Sequence, residues 1–329
     1  VSRVLVRELG SLSESEALDR LSRHPALSEA ERNRLSRNYE EKLAEGLQAG
    51  IRPLTEEEFP PLLAEAAGMP AALFVHGSTE CLTAPTIAIV GTRSASTYGK
   101  ACAQKFAEAF ARAGVTVVSG GALGIDAAAH RGVLDAGGST VAVLASGVDH
   151  VYPSVHRDLF RQIRENGCLV SQFPVGSHPT GIRFLTRNVL IAALSRAVLV
   201  IEAPRRSGAM STAHAANDLG REVFVVPANI DALSFHGSFG LIRDGATLVS
   251  HPAEVLEALD VAPSLPFESK PAATGLGKRI LDALSVSPIA AEVIVARTGI
   301  ETAEVLSELT MLELEGRIVR DGGGYAVRP

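Results

Sequence analysis

The chain has 329 residues, 46% hydrophobic and 21% charged, with a formal net charge of −6; this fits two or three globular domains and excludes a disordered or collagen-like chain. Four Tyr, eleven Phe and no Trp exclude a broad platform for stacking many bases, and the net charge excludes a uniformly basic nucleic-acid coat. No apolar run reaches about 18 residues, so no membrane span is expected, and Val1 to Gly10 has no signal-peptide core.

Residues 1–66 carry 9 basic and 13 acidic side chains. Apolar residues at helical spacing predict helices over 14–21 and 29–47, the second capped by Ser28. Ile51-Arg52-Pro53-Leu54-Thr55 breaks the pattern. Two readings stand: a small helical (SAM-like) domain, or a solvated helical cap on the core.

Residues 67–260 hold 15 basic and 15 acidic side chains and eight of the nine histidines. β-branched apolar runs predict strands at 87–90, 115–118, 140–144, 168–170, 198–201 and 222–226. Helical stretches alternate with them at 98–113, 125–136, 155–166, 186–194 and 211–219. That alternation predicts an α/β domain: a doubly wound, mainly parallel sheet with helices on both faces, whose ligands bind beyond the carboxyl ends of the strands.

The residues at those ends are informative. They are Gly91-Thr92-Arg93-Ser94, Ser119-Gly120-Gly121-Ala122-Leu123-Gly124-Ile125-Asp126, Ala145-Ser146-Gly147, and Glu202-Ala203-Pro204-Arg205-Arg206-Ser207-Gly208. Glycines let a ligand approach the backbone, and hydroxyls, arginines and helix N-termini donate to anions. A phosphate-bearing ligand is the expectation. Residues 119–124 have the wrong spacing for a dinucleotide fingerprint, and Gly91 to Lys100 is too long for a P-loop. No cofactor is therefore expected.

Catalytic signals are weak. The histidines are scattered and Cys81, Cys102 and Cys168 lie far apart, so no metal spacing appears and a reducing cytosol is expected. Asp126 and His130 stand at i and i+4, as an acid–base pair or as a hydrogen-bond network at a helix end. Ser207 and Ser211 lack a nucleophile-elbow context. Arg187-Asn188 would open a helix, with Arg183 just before it, as a phosphate and base-edge clamp or as a salt-bridged helix start. Phe184 either stacks on a base or packs in the core.

Residues 261–275 contain three prolines, a linker composition. Residues 276–329 predict short helices at 276–284, 289–297 and 302–314, then a hairpin around Gly322–Gly324, a winged-helix pattern. From 301 to 315 there are five glutamates (301, 304, 308, 313 and 315) and no Lys or Arg. A recognition helix that repels phosphate suits a protein contact or a regulatory role better than reading duplex DNA.

An ordered series of strings runs from about 59 to 260. It includes Ala88-Ile-Val-Gly-Thr-Arg93, Val118-Ser-Gly-Gly-Ala-Leu-Gly-Ile-Asp126, Tyr152-Pro153, Phe184-Leu-Thr-Arg-Asn188, Ser207-Gly-Ala-Met-Ser-Thr-Ala213 and Leu241-Ile-Arg-Asp-Gly-Ala246. The series resembles the DprA (Smf) family of bacterial DNA-processing proteins. The resemblance implies an extended Rossmann-like domain over 67–260 that binds single-stranded DNA without catalysis. It also implies a homodimer formed through that domain, protection of incoming strands during natural transformation, loading of the RecA recombinase, and a cytoplasmic location. Carried over by position, Arg93, Ser119, Gly120, Gly121, Arg187, Asn188, Ser207 and Thr212 line the strand-binding pocket; the residue reading adds Arg183, Phe184 and Gly208. The chain departs from the family pattern at Leu123 and Val189, where cations are usual, and at Gln172, Ala228 and Phe239. Arg183, Arg205 and Arg206 are candidates to compensate. The rival readings are a phosphoribohydrolase-like nucleotide-processing enzyme, whose Pro-Gly-Gly-x-Gly-Thr-x-x-Glu string is absent, and a structural scaffold with a vestigial pocket.

Overall fold

The computed structural model describes residues 45–70, 72–261, 275–285, 287–314 and 317–327. The helix expected at 14–21, the Ser28 cap, most of the helix at 29–47 and most of the linker lie outside these. The chain divides into two compact units, residues 1–264 and 265–329.

The first unit is built on nine strands: β1 (Ile51–Thr55), β2 (Ala72–Gly77), β3 (Thr86–Val90), β4 (Thr116–Ser119), β5 (Thr140–Val143), β6 (Cys168–Ser171), β7 (Ala197–Val200), β8 (Glu222–Val225) and β9 (Thr247–Leu248). Their order is β1-β2-β6-β5-β4-β3-β7-β8-β9. From β6 to β9 every pairing is parallel, while β1 and β2 add on antiparallel. The six strands expected from the apolar runs are all present within a residue or two.

β1, β2 and the two-residue β9 are additions that sequence reasoning missed. β1 contains Pro53, which reads as a breaker but is tolerated on an edge strand, where its missing N–H faces away from a partner. The sheet therefore begins at Ile51, inside the stretch assigned to the N-terminal region.

Besides a short helix at Pro61–Ala64, the helices of this unit are α1 (Thr97–Arg112), α2 (Ile125–Asp135), α3 (Arg157–Asn166), α4 (Gly181–Ala193), α5 (Gly208–Asp218), α6 (His236–Arg243) and α7 (Pro252–Ala258). Alternation along β5 shows the two-faced burial. Val141 and Val143 join a cluster with Leu190, Ile191 and Ala213, from α4 and α5. Ala142 and Leu144 pack with Leu159, Phe160 and Ile163 of α3. α1 buries Cys102, Ala103, Phe106, Ala107 and Phe110, spaced three and four apart along one stripe.

Strand order reverses between β3 and β7. The chain steps outward from β3 to β6 on one side, then returns to start β7 on the other. A crevice at the carboxyl ends of β3 and β7 follows from that topology.

The second unit is a winged helix: α8 (Gly275–Ala283), α9 (Ala291–Thr298), α10 (Thr302–Leu314) and the hairpin β10 (Ile318–Asp321) and β11 (Gly324–Val327). Its core gathers Ile280, Ile294, Ile300, Val305, Leu309, Leu312 and Ile318. Glu301, Glu304 and Glu313 are exposed on or beside α10; Glu315 lies outside the described residues.

One packing contact has a direct test. α2 approaches α1 at Gly132, where a Cβ would stand 2.7 Å from the Gln104 carbonyl oxygen and 2.9 Å from its Cα. Gly132→Ala should cost about 1–3 kcal/mol through overpacking, read by urea denaturation.

Candidate functional site

Two loops meet at the switch point. The Thr92 N–H donates to the Glu202 backbone oxygen (2.7 Å), and the Ile125 N–H donates to the Thr92 oxygen (3.2 Å). Gly124 has φ +80°, and a Cβ there would lie 2.6 Å from the Arg93 oxygen. The close approach and the left-handed backbone both require glycine. The Glu202 side chain anchors the start of α1: its Oε2 accepts from the Ser96 N–H (2.9 Å) and hydroxyl (2.8 Å), while Ser96 Oγ caps the helix by accepting from Gly99.

Between these loops lies a cleft of about 350 Å³. It is lined by the end of β3 with Thr92 and Arg93, by Asp126 of α2, by Phe184, Arg187 and Asn188 of α4, and by Arg206, Ser207, Gly208 and Thr212 at the start of α5. Arg93, Ala122, Phe184 and Arg187 also border a smaller pocket next to it, closed by Gly120, Leu123, Tyr152 and Pro179.

α4 starts at Gly181, five residues before the expected start. Arg183, Phe184, Arg187 and Asn188 are all helical, so Arg187-Asn188 does not open the helix. The longer helix aims Arg187 inward. Its side chain is buried, and one guanidinium nitrogen donates to the carbonyls of Gly120 (2.5 Å) and Val143 (2.6 Å). Asp126 holds the same loop by its donors, its Oδ2 accepting from the N–H groups of Gly120 (3.1 Å) and Ala122 (3.3 Å). Burial pushes the Arg187 pKa down to about 10, while the Asp126 charge opposes that fall. It remains a cation at neutral pH. Burial likewise pushes Asp126 above the usual carboxylate range, against the pull of Arg187 and the two N–H groups.

The structure places the expected site residues in different settings. Arg187 borders the cleft and also braces the loop, with Nη1 given to two carbonyls and Nε to Asn188 Oδ1 (3.1 Å). The Gly120 N–H is committed to Asp126. Ser119 is fully buried and donates to the Ile89 carbonyl (2.6 Å). Gly121 is buried, and a Cβ there would run into the Phe160 ring at 2.6 Å. These two shape the loop from behind. Arg183 donates to the His178 carbonyl (2.6 Å) and lies 4.8 Å over the Phe173 ring. It is absent from the described lining of either pocket.

What faces the cleft is more compact. Arg93 is exposed and lies 5.0 Å over the Phe184 ring. Arg206 is exposed beside it among the lining residues, whereas Arg205 is exposed outside that lining. Ser207 caps α5, its Oγ accepting from Ala209 (3.2 Å), so the positive end of an 11-residue helix opens here. Asn188 donates to the Gly208 carbonyl (3.1 Å) and to Ser211 Oγ (2.7 Å), tying α4 to that helix start. Tyr152, whose ring centroid stands 5.9 Å from that of Phe184, was not singled out as a site residue; an aromatic before a proline in a loop after a strand was the available signal. Leu123 and Val189 are exposed, so neither position supplies a charge.

Asp126 and His130 are not an acid–base pair. His130 is fully buried beside Thr140 Oγ1 (2.8 Å). That hydroxyl donates to the Val117 carbonyl (2.7 Å), so it accepts from His130, which must carry its hydrogen on Nδ1. Burial, with the charges of His156, Arg187 and Arg131, holds the His130 pKa down to about 3.

The comparisons agree with this architecture. A family model described as DNA recombination-mediator protein A matches residues 51–260, and one described as DprA winged helix domain matches residues 265–324. Protein Smf of Escherichia coli is 38% identical over 285 residues, covering 83% of this chain and 76% of that protein. The DNA processing protein A structure from Streptococcus pneumoniae aligns with a TM-score of 0.66 at 32% identity, covering 77% of this chain and 91% of that one. The Helicobacter pylori DNA processing protein A, solved for its single-stranded DNA binding mode, aligns with a TM-score of 0.59 at 29% identity, covering 64% and 97%.

Two outcomes follow from the geometry. Arg187→Leu should destabilise the protein by about 3–5 kcal/mol in urea denaturation, because it strands the buried Asp126 charge and two carbonyls. The second concerns pH. Unfolded histidine ionises near 6.5, while native His130 stays neutral down to about 3. The unfolded state therefore takes up the proton first, and its advantage grows as pH falls. Between pH 6.5 and 4 the wild type should lose about 1.4 kcal/mol per pH unit more than His130→Asn, measured from denaturant midpoints.

Proposed function

The chain belongs to the DNA recombination-mediator protein A family, and from that premise we propose that its switch-point cleft holds single-stranded DNA and performs no covalent step. The observation that carries this reading is Arg93. It is exposed, seated over Phe184, and shares the cleft with Arg206 and the N-terminus of α5. A cation resting on an aromatic face beside a helix N-terminus suits a polymer that alternates phosphates with flat bases.

The non-enzymatic part rests on how the polar groups are engaged. Asp126 is the one carboxylate among the described lining residues, and it accepts from two loop N–H groups. A general base must reach a substrate proton, and the Asp126 side chain is buried. Family resemblance extends the proposal to a cytoplasmic homodimer that protects incoming strands during natural transformation and delivers RecA onto them. Joining two clefts would raise affinity for longer strands through effective concentration.

The test is oligo-dT binding across a salt series. Arg93→Ala should weaken binding roughly tenfold and reduce the magnitude of the log K against log salt slope by about 0.7, the contribution of one phosphate on a single strand. The side chain is exposed, so folding stability should stay within about 0.5 kcal/mol of the wild type. Unchanged affinity and slope would overturn the assignment of this cleft, and release of free base from AMP would overturn the non-enzymatic reading.

A further inference from the structure

Cys81 and Cys168 are 87 positions apart, yet their sulfurs stand 3.5 Å from each other. Cys81 lies on the helical turn Glu80–Leu82 that follows β2, and Cys168 opens β6. Antiparallel pairing brings these ends together, with Gly77 opposite Cys168 in the register. Both thiols are buried in one apolar cluster with Leu63, Val75, Leu82 and Val141. The Cys81 thiol donates to the Ser78 carbonyl (3.2 Å), which leaves Cys168 to donate to the Cys81 sulfur. That hydrogen bond pulls the Cys81 pKa below its usual value and, with burial, pushes that of Cys168 well above. Cys102 sits apart on α1 beside Tyr98.

We propose that Cys81 and Cys168 form a reversible dithiol–disulfide site, joined by a peroxide-class oxidant and separated by a small-molecule thiol. A disulfide bond is about 2.05 Å long, so the sulfurs must close by roughly 1.5 Å. Side-chain rotation supplies that movement. The backbone is already seated tightly, since a Cβ at Gly77 would stand 2.9 Å from the Cys168 Cα. Cys81 attacks first, being 6% exposed where Cys168 is fully buried. Its thiolate sulfur takes one peroxide oxygen and the O–O bond breaks. Hydroxide leaves and is protonated to water, giving a sulfenic acid. The Cys168 sulfur then attacks the Cys81 sulfur, the S–O bond breaks, and water departs with the Cys168 proton. Two thiols and one hydrogen peroxide give one disulfide and two waters; the sulfur pair loses two electrons and the peroxide gains them.

The site lies at the amino end of β6, whereas the cleft lies at the carboxyl ends of β3 and β7, so it stands independently of the DNA-binding reading. The experiment treats the full native chain with stoichiometric hydrogen peroxide, alkylates free thiols, and maps peptides by mass spectrometry without reductant. The expected result is one Cys81–Cys168 cross-link with Cys102 alkylated. The melting temperature should rise by roughly 5–15 °C, because the bridge closes a long loop in the unfolded chain, and dithiothreitol should reverse the rise. Cys81 and Cys168 both alkylated, an over-oxidised Cys81 without a bridge, or a bridge to Cys102 would each overturn the proposal. In Cys168→Ser, checked for folding by its melting curve, the Cys81 sulfenic acid should persist and be captured by a 1,3-diketone probe. Failure of capture overturns the assignment of Cys81 as the attacking thiol.

Discussion

The interaction on which the site depends is the buried guanidinium of Arg187. It projects from the second turn of α4 and bonds the carbonyls of Gly120, just after β4, and Val143, at the end of the adjacent β5. Asp126, from α2, takes the N–H groups of the same loop. Two helices therefore hold one glycine-rich turn, one by its acceptors and one by its donors, and both side chains crowd the space where a Cβ of Gly120 would stand. In a low-dielectric interior neither charge can be left unpaired without a cost of several kcal/mol. The same lock decides what the cleft can offer a ligand, since a carbonyl or an N–H already bonded inside the fold does not turn outward to bind one.

The recognition surface is what remains after that commitment. Arg93 and Arg206 are the exposed cations in the cleft lining, and the α5 N-terminus adds partial positive charge. The chain is acidic overall and its middle segment is balanced at 15 basic and 15 acidic side chains. Local attraction for an anion therefore comes from placement and not from excess. Stacking Arg93 on Phe184 fixes the guanidinium without using its hydrogen-bond donors. The plane that steadies the cation is the same kind of surface a base would rest on. Leu123 and Val189 are exposed and uncharged, so they add apolar surface and no positive charge.

Much of this was legible in the sequence. Six of the seven parallel strands announce themselves as apolar β-branched runs, because strands buried on both faces need no polar alternation. The glycine, hydroxyl and arginine residues after those strands mark the ligand edge for the same topological reason. Single-residue roles were less legible. Arg93 and Ser119 read as polar residues after strands and Arg187 as a residue opening a helix, yet Arg93 faces solvent, Arg187 is a strut and Ser119 is turned onto the Ile89 carbonyl. The difference was set by where α4 begins, and a helix that starts at Gly181 without a side-chain cap carries no start signal. β1 was hidden by Pro53, and the approach of Cys81 to Cys168 depends on an antiparallel pairing between segments some 90 residues apart, which no local pattern encodes.

The two compact units divide the chemistry by charge. In the winged helix the exposed glutamates on and beside α10 place negative charge where a duplex reader would need donors. Arg320 of the hairpin lies 5.7 Å over the Tyr325 ring, and Arg297 donates to the Ala283 carbonyl. Cations of this unit are thus partly engaged in its own fold while its most exposed helix repels phosphate. A polyanion would gain little there and more at the cleft of the first unit, where exposed arginines meet a helix N-terminus. The sheet itself makes a second division. Its carboxyl edge gathers polar residues that a ligand can reach, and the amino end of β6 holds paired sulfurs in an apolar cluster. In a parallel sheet these ends are separated by the length of the buried strands, so a covalent change at one can alter stability without rearranging the polar groups at the other.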